Sequence, residues 1–322
     1  MPYPSTNAAS PTDSLANGLE IKNPHRILSA NDLRQLNQRS NLAGSVQFAA
    51  HLGLIIVAGY LGAIAPGWWA LPALMIQGAG LALMFATVHE CSHRTAFANR
   101  TLNDWAAWIG GVLSFYNSTF YRHYHKWHHR YTQIPGKDPE LDDPKPETRL
   151  QYLWQLSGIP WWIGKIKGHV QVLRGNVADC YFLPESGYGA VMRSTRWQFG
   201  VYGAIALIST LLGHPWFLVL HWVLPLAIGQ PLLRFLLLAE HTGCTHDDNY
   251  LTNTRTTLTL WPLRLLMWNL PYHAEHHLYP SIPFHALAPA HLKLSGYVER
   301  VDPGYIYVHR TILAGLGERS RS

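Results

Sequence analysis

The sequence predicts an all-α integral membrane protein in which four transmembrane helices, paired as two hairpins, carry a helical cytosolic cap. Three observations predict it. Four apolar stretches occur as two adjacent pairs, lysine and arginine avoid the turn inside each pair, and the histidines gather in the polar chain between and after the pairs. Charged residues make up 14% of the 322, well below the roughly 25% of a soluble domain. Thirteen Trp and sixteen Tyr suit an aromatic belt at a lipid interface.

Residues 1–44 are polar and rich in Ser and Asn, with no apolar signal-peptide core. Positions 2–24 read as disordered, and "SANDLRQLNQRSN" at 29–41 as a short amphipathic or interfacial helix. The run 46–65, "VQFAAHLGLIIVAGYLGAIA", is long enough as a helix to cross roughly 30 Å of hydrocarbon. "APGWW" breaks it and 68–88 returns as a second span. "WAAWIGGVLSF" at 105–115 is apolar but short, so it reads as an interfacial or re-entrant helix. A third span covers 197–213, "GHPW" turns the chain, and a fourth covers 216–239. The membrane domain is thus 45–295, its cap is 89–196 with 240–295, and 296–322 is a C-terminal tail.

Charge supports this topology. Four basic residues precede the first span, thirteen fall between 89 and 196, seven follow the fourth span, and Arg234 lies near that span's end. The positive-inside rule then puts both termini and the cap in the cytoplasm of a multi-pass protein; a bacterial inner membrane fits. Cys91, Cys180 and Cys244 are too far apart for a CxxC site and read as reduced thiols. The net charge of +6 is spread without a basic stripe beside the histidines, which argues against a nucleic-acid partner.

Nineteen histidines are the compositional outlier. "HECSH" sets His89 and His93 at i and i+4, on one helical face. "HKWHH" places His125, His128 and His129 at i, i+3 and i+4, and "HAEHH" repeats that spacing with His273, His276 and His277. Adjacent rings of HxxHH diverge by about 100° around a helix, so one such helix can serve two neighbouring metals. Imidazole-rich, thiolate-free ligation suits Fe, Cu, Ni or Zn. Eight clustered imidazoles exceed the four ligands of one tetrahedral zinc. His241, where the fourth span emerges, is the candidate ninth ligand; His246 competes but lies farther along a "THDD" turn.

The order HxxxH, HxxHH, HxxHH between and after paired spans resembles the membrane fatty acid desaturase superfamily of three-histidine-box desaturases and hydroxylases. "HECSHRTAF", "YRHYHKWHHRYT" and "NLPYHAEHHLYPSIP" carry the likeness, which covers about 45–295. It implies a non-haem di-iron centre ligated by His89, His93, His125, His128, His129, His273, His276 and His277, with His241 matching a further ligand by placement. It implies O2 as co-substrate and an oxidoreductase that removes two hydrogens from an unactivated C–H pair, first of all in a fatty acyl chain. Hydroxylation, ketolation or terminal-alkene formation on another hydrophobic metabolite is the alternative. The first box is HxxxH rather than HxxxxH, which departs from the acyl-CoA type. Carboxylates near the boxes are candidates to orient the imidazoles: Glu90, Asp104, Asp138, Glu240 and Glu275. No separate acid or base is assigned.

The chain shows no cysteine-rich ferredoxin pattern and no fused haem domain, so electrons are expected from a separate ferredoxin or cytochrome b5-type donor with its reductase. Membrane lipids surround the spans, and the acyl or other hydrophobic substrate is free or linked to lipid, CoA or acyl carrier protein. "HECSH" also satisfies H-E-x-x-H, a zinc-protease signature with Glu90 as general base, but that reading leaves both HxxHH clusters unexplained. A non-catalytic metal transporter or receptor would want more polar spans than these.

Overall fold

A computed structural model describes residues 27–319. The expectation of disorder at 2–24 falls outside those residues, as does the end of the tail. After α1 (Ala30–Leu36), Ser40 caps α2 (Asn41–Ile64) by accepting from Ala43 N, so the helix starts ahead of the expected boundary at 46. Pro66 and Gly67, the latter at φ +53°, turn the chain into a short 3₁₀ segment (Gly67–Trp69) and α3 (Ala70–Ser92). Asn99 and Asn117 side chains cap α4 (Arg100–Ser114) and α5 (Ser118–Tyr131). A Thr148–Gln151 capping box starts α6 (Arg149–Leu156), and Gly158 leads into α7 (Ile159–Leu173). Then come α8 (Glu185–Leu211) and a π-helical turn (Val219–Val223) that continues as α9 (Leu224–His241). The remaining helices are α10 (Trp261–Leu266), α11 (His273–Leu278), α12 (Phe284–Leu294) and α13 (Tyr305–Arg319).

Among the described residues three helices are long and apolar enough to cross a membrane: Asn41–Ile64, Gly67–Ser92 and Val219–His241. They correspond to the first, second and fourth expected spans. The third, 197–213, falls in the second half of α8. Glu185, Arg193 and Arg196 crowd that helix's first half, and its remaining fifteen residues rise only about 22 Å, short of a full hydrocarbon crossing. Polar Gln198 and Tyr202 interrupt even this run, and both have structural partners. Gln198 Nε2 donates to Gly111 O at 3.3 Å and Tyr202 Oη to Val112 O at 2.6 Å, while Trp222 Nε1 donates to Leu113 O at 2.8 Å. The bonds to Val112 O and Leu113 O satisfy carbonyls in the last turn of α4, while Gly111 O also accepts from the backbone at the helix C-cap.

The short apolar segment expected at 105–115 lies within α4, whose buried face of Ala106, Ala107, Gly110 and Gly111 packs on α3. α3 is the central helix, covered by α2, α4 and α9. Outward faces remain apolar, with Ile56, Val57, Leu61, Trp68 and Trp69 exposed on and beside α2. The tail expected from 296 packs back onto the body. β2 (Val301–Asp302) pairs in parallel with β1 (Thr256–Thr257), and Tyr305, Val308, Ile312 and Leu316 bury one stripe of α13.

α3 and α9 cross backbone to backbone. A Cβ on Gly229 would stand 1.9 Å from Gly78 O, and one on Gly78 would stand 2.2 Å from Pro225 O. Small residues permit this approach as they do in membrane helix pairs generally. Gly229→Val is therefore expected to destabilise the chain by about 1–3 kcal/mol. An unchanged melting temperature in detergent would refute the close crossing.

Candidate metal centre

Four elements deliver the nine expected histidines to one place. His89 sits in the last turn of α3 and His93 at its C-cap, α5 presents His125, His128 and His129, α11 presents His273, His276 and His277, and His241 ends α9. His89, His125, His128, His241, His273, His276 and His277 are each at most 3% exposed. Two groups result. His89, His93, His125, His129 and His276 offer nitrogens within 4.8 Å of one another, and His128, His241 and His277 do the same. His273 joins the second group, its Nε2 3.1 Å from Nε2 of both His241 and His277. The groups adjoin where the His129 and His277 rings stack at 4.2 Å.

Three of the rings that face the second group are held by their outer nitrogens. His128 Nδ1 meets Asp138 Oδ1 at 2.9 Å, His241 Nδ1 meets Asn253 O at 3.0 Å, and His277 Nδ1 meets Thr132 Oγ1 at 3.2 Å. The facing Nε2 pairs stand 3.0–3.4 Å apart. Each such pair can share only one proton, whereas nitrogens about 2.1 Å from a common metal have edges of about 3.0–3.4 Å. His89 Nε2 and His93 Nε2 are buried with no partner at all among the described residues. A buried imidazole nitrogen without a partner is costly, and a cation at the middle of each group would satisfy it. The donor set fits two metal ions.

The acids divide differently from expectation. Asp138 alone bonds an outer nitrogen of the nine histidines. Glu240 reaches the inner side, with Oε2 3.5 Å from His273 Nε2. Glu275 instead accepts from Thr256 Oγ1 and pairs with His291 Nδ1 at 2.6 Å. Asp104 is tied to Arg94 and Arg122 at 3.2 and 2.6 Å, and touches none of these rings. Glu90 Oε1 accepts from Phe284 N at 3.1 Å, so it is engaged away from the histidines where a protease base would be needed. His246 stays outside both groups, and His51 and His309 are satisfied by Gly80 O and Phe235 O. Sequence reasoning missed Thr132, the Asn253 carbonyl and His291. A threonine seven residues after His125 or a backbone carbonyl carries no motif signal.

A cleft of about 790 Å³ opens beside the histidines. His89, His125, His128 and His273 form its inner end, with Phe85 and Tyr121 on the walls beside them. Aromatic walls with a few convergent polar groups are the usual form of a small-molecule site.

Burial, reinforced by neighbouring imidazoles, holds His125, His129, His273, His276 and His277 well below the ordinary value of 6.5 and His93 down at about 3. His128 runs the other way: burial opposes its charging, but the Glu140 and Asp138 carboxylates outweigh it. At neutral pH most of the rings are therefore neutral and free to ligate. Below pH of about 6.5 an unfolded chain binds protons that these folded rings refuse, so folding stability rises with pH across that window and is lost on acidification. Taking the purified protein from about pH 7.5 to about 5.5 should lower both its Tm and its bound metal; equal values at the two pHs would contradict the burial. Asp138→Asn should weaken metal binding by about 10–100-fold, measured by chelator competition, since the amide no longer holds the His128 ring as a carboxylate does.

The family model described as fatty acid desaturase matches residues 33–309. A dihydrorhizobitoxine desaturase of Bradyrhizobium elkanii is 28% identical, over 83% of this chain and 78% of that protein. An sn-1 oleoyl-lipid 12-desaturase of Synechocystis is 27% identical, covering 74% and 72%. A Delta(5) fatty acid desaturase of Caenorhabditis elegans is 25% identical, covering 67% of this chain and 55% of its own.

Proposed function

The chain belongs to the fatty acid desaturase family, and on that premise we propose that it is an O2-dependent di-iron oxidoreductase that introduces a double bond, in the first instance into an acyl chain. The observation that carries this reading is the double histidine group with its unpartnered inner nitrogens at the closed end of an aromatic cleft. One iron would be held by His89, His93, His125, His129 and His276, the other by His128, His241, His273 and His277, with Glu240 beside the second. Iron bound there would supply the oxidising power that no side chain has: O2, two electrons from a ferredoxin or cytochrome b5-type donor, two protons and the two substrate hydrogens would leave as two waters.

The residues of the chain do the rest. Asp138, Asn253 O and Thr132 fix the rings that face the second ion. Phe85 and Tyr121 exclude water and lay the hydrocarbon of the substrate against His89 and His125. Whether hydrogen loss or hydroxyl transfer follows depends on how these walls place the second C–H bond, which makes an alcohol or ketone product the alternative outcome. For the membrane, the reading is four crossings, the third made by the fifteen-residue apolar half of α8 with the bilayer thinned around it, and both termini and the histidines on the cytoplasmic side of a bacterial inner membrane. The retention of positive charge outside the turns supports it.

Metal analysis of the purified chain should give two irons per polypeptide, and His128→Ala should lose iron. Lipid and metabolite profiles of cells expressing the wild type should contain an alkene that is absent with His128→Ala. A single zinc would defeat the di-iron assignment, and a new alcohol or ketone with an unchanged double-bond pattern would replace desaturation by hydroxylation.

A further inference from the structure

The cleft has a second chemical end. Lys165 on α7 and Arg234 on α9 both line it, and among the described residues neither has a carboxylate within ion-pair distance. Their contacts are neutral and aromatic. Lys165 Nζ lies 3.9 Å from the centre of the Tyr116 ring, the Arg234 guanidinium is 5.5 Å from that of Trp161, and Arg234 Nη2 donates to Tyr116 Oη at 3.1 Å. Trp161 Nε1 donates to the same hydroxyl at 3.0 Å, which fixes Tyr116 between the two cations. Arg234 Nε is buried without a partner. Burial and the nearby guanidinium pull Lys165 down to about 7, with Asp143 opposing from a distance. Two cations that repel each other in a half-buried pocket are expensive to hold, and a bound anion would repay the cost.

We propose that Lys165 and Arg234 form the seat for the carboxylate of a small, carrier-free substrate whose hydrocarbon reaches from Tyr116 past Phe85 to the histidines. This rests on the reading of the histidines as the oxidising end. The aromatic section between the two ends is one ring deep: Phe85 is 4.9 Å from Tyr116 and 6.2 Å from His89 between ring centres. Arg234 and His241 lie seven residues apart on α9, on the same face and about 10 Å apart along the axis. A short carboxylic acid spans that distance, with its reacting carbons a few bonds from the carboxylate.

The test is calorimetric binding to the full chain in nanodiscs, as purified and whatever its metal content, using octanoate, methyl octanoate, octyl phosphate and octanoyl-CoA. Octanoate should bind best. Lys165→Met and Arg234→Leu should each weaken it by about tenfold or more, the loss expected for a charge-assisted bond, and Lys165→Arg should restore much of it. The ester should bind weakly and be indifferent to the substitutions. Equal binding of acid and ester by the wild type overturns the proposal without any variant. So does unchanged octanoate affinity in both variants, and a preference for octyl phosphate or octanoyl-CoA reassigns the cations to phosphate. If the chain lacks iron but binds octanoate in this pattern, the oxidase reading fails and the carboxylate seat stands; two irons with no acid preference give the reverse.

Discussion

Nine imidazoles, seven of them at most 3% exposed, share one space, and their inner nitrogens confront one another at distances too short to ignore and too numerous for shared protons. That confrontation is the constraint on which the structure depends. Protonating the rings would set buried like charges side by side, and leaving them neutral strands nitrogens such as those of His89 and His93. A cation placed between the rings would relieve both problems. Everything around the rings can be understood as holding them in this otherwise unfavourable arrangement: α3 and α9 end at it, α5 runs alongside it, and α11 closes it from the other side.

The arrangement also explains why the chain around it is so heavily cross-tied. Asn253 is an example, since its carbonyl accepts from His241 while its own side-chain amide donates to Thr132 O at 3.2 Å. Thr132 in turn meets His277. One loop residue thereby connects the ends of α9 and α5 to the third box. Glu275, between ligands of α11, is anchored to β1 through Thr256, and β1 is held by the C-terminal strand. The last stretch of chain thus helps fix a helix that contributes three of the nine rings.

Much of this was legible in the sequence because helical spacing is local. HxxxH and HxxHH declare which rings share a face, and apolar runs at 46–65, 68–88 and 216–239 declare three long helices. His241 was legible from its position at the end of such a run. The acids were not: Asp104 and Glu275 sit as close in sequence to the boxes as Asp138 does, yet they turn to Arg122 and His291. Sequence proximity fixes the distance along the chain and leaves open the direction in which a carboxylate points. The third run was less legible for a similar reason, since the bonds that Gln198 and Tyr202 make to the end of α4 appear only in the fold. No motif marks Lys165 or Arg234, because only the tertiary fold brings them to a common tyrosine.

The glycine crossing has a mechanical consequence. Gly78 lies eleven residues before His89 and Gly229 twelve before His241, so each helix extends about 16–18 Å beyond the contact. The two backbones meet at a fulcrum, and each lever arm carries a ring belonging to a different one of the two groups. A tilt of about 5° at the fulcrum moves an arm's tip by more than about 1 Å, comparable to the tolerance of a coordination sphere. The spacing of two ions would then be governed from the middle of the bilayer, by a pair of residues with no side chains.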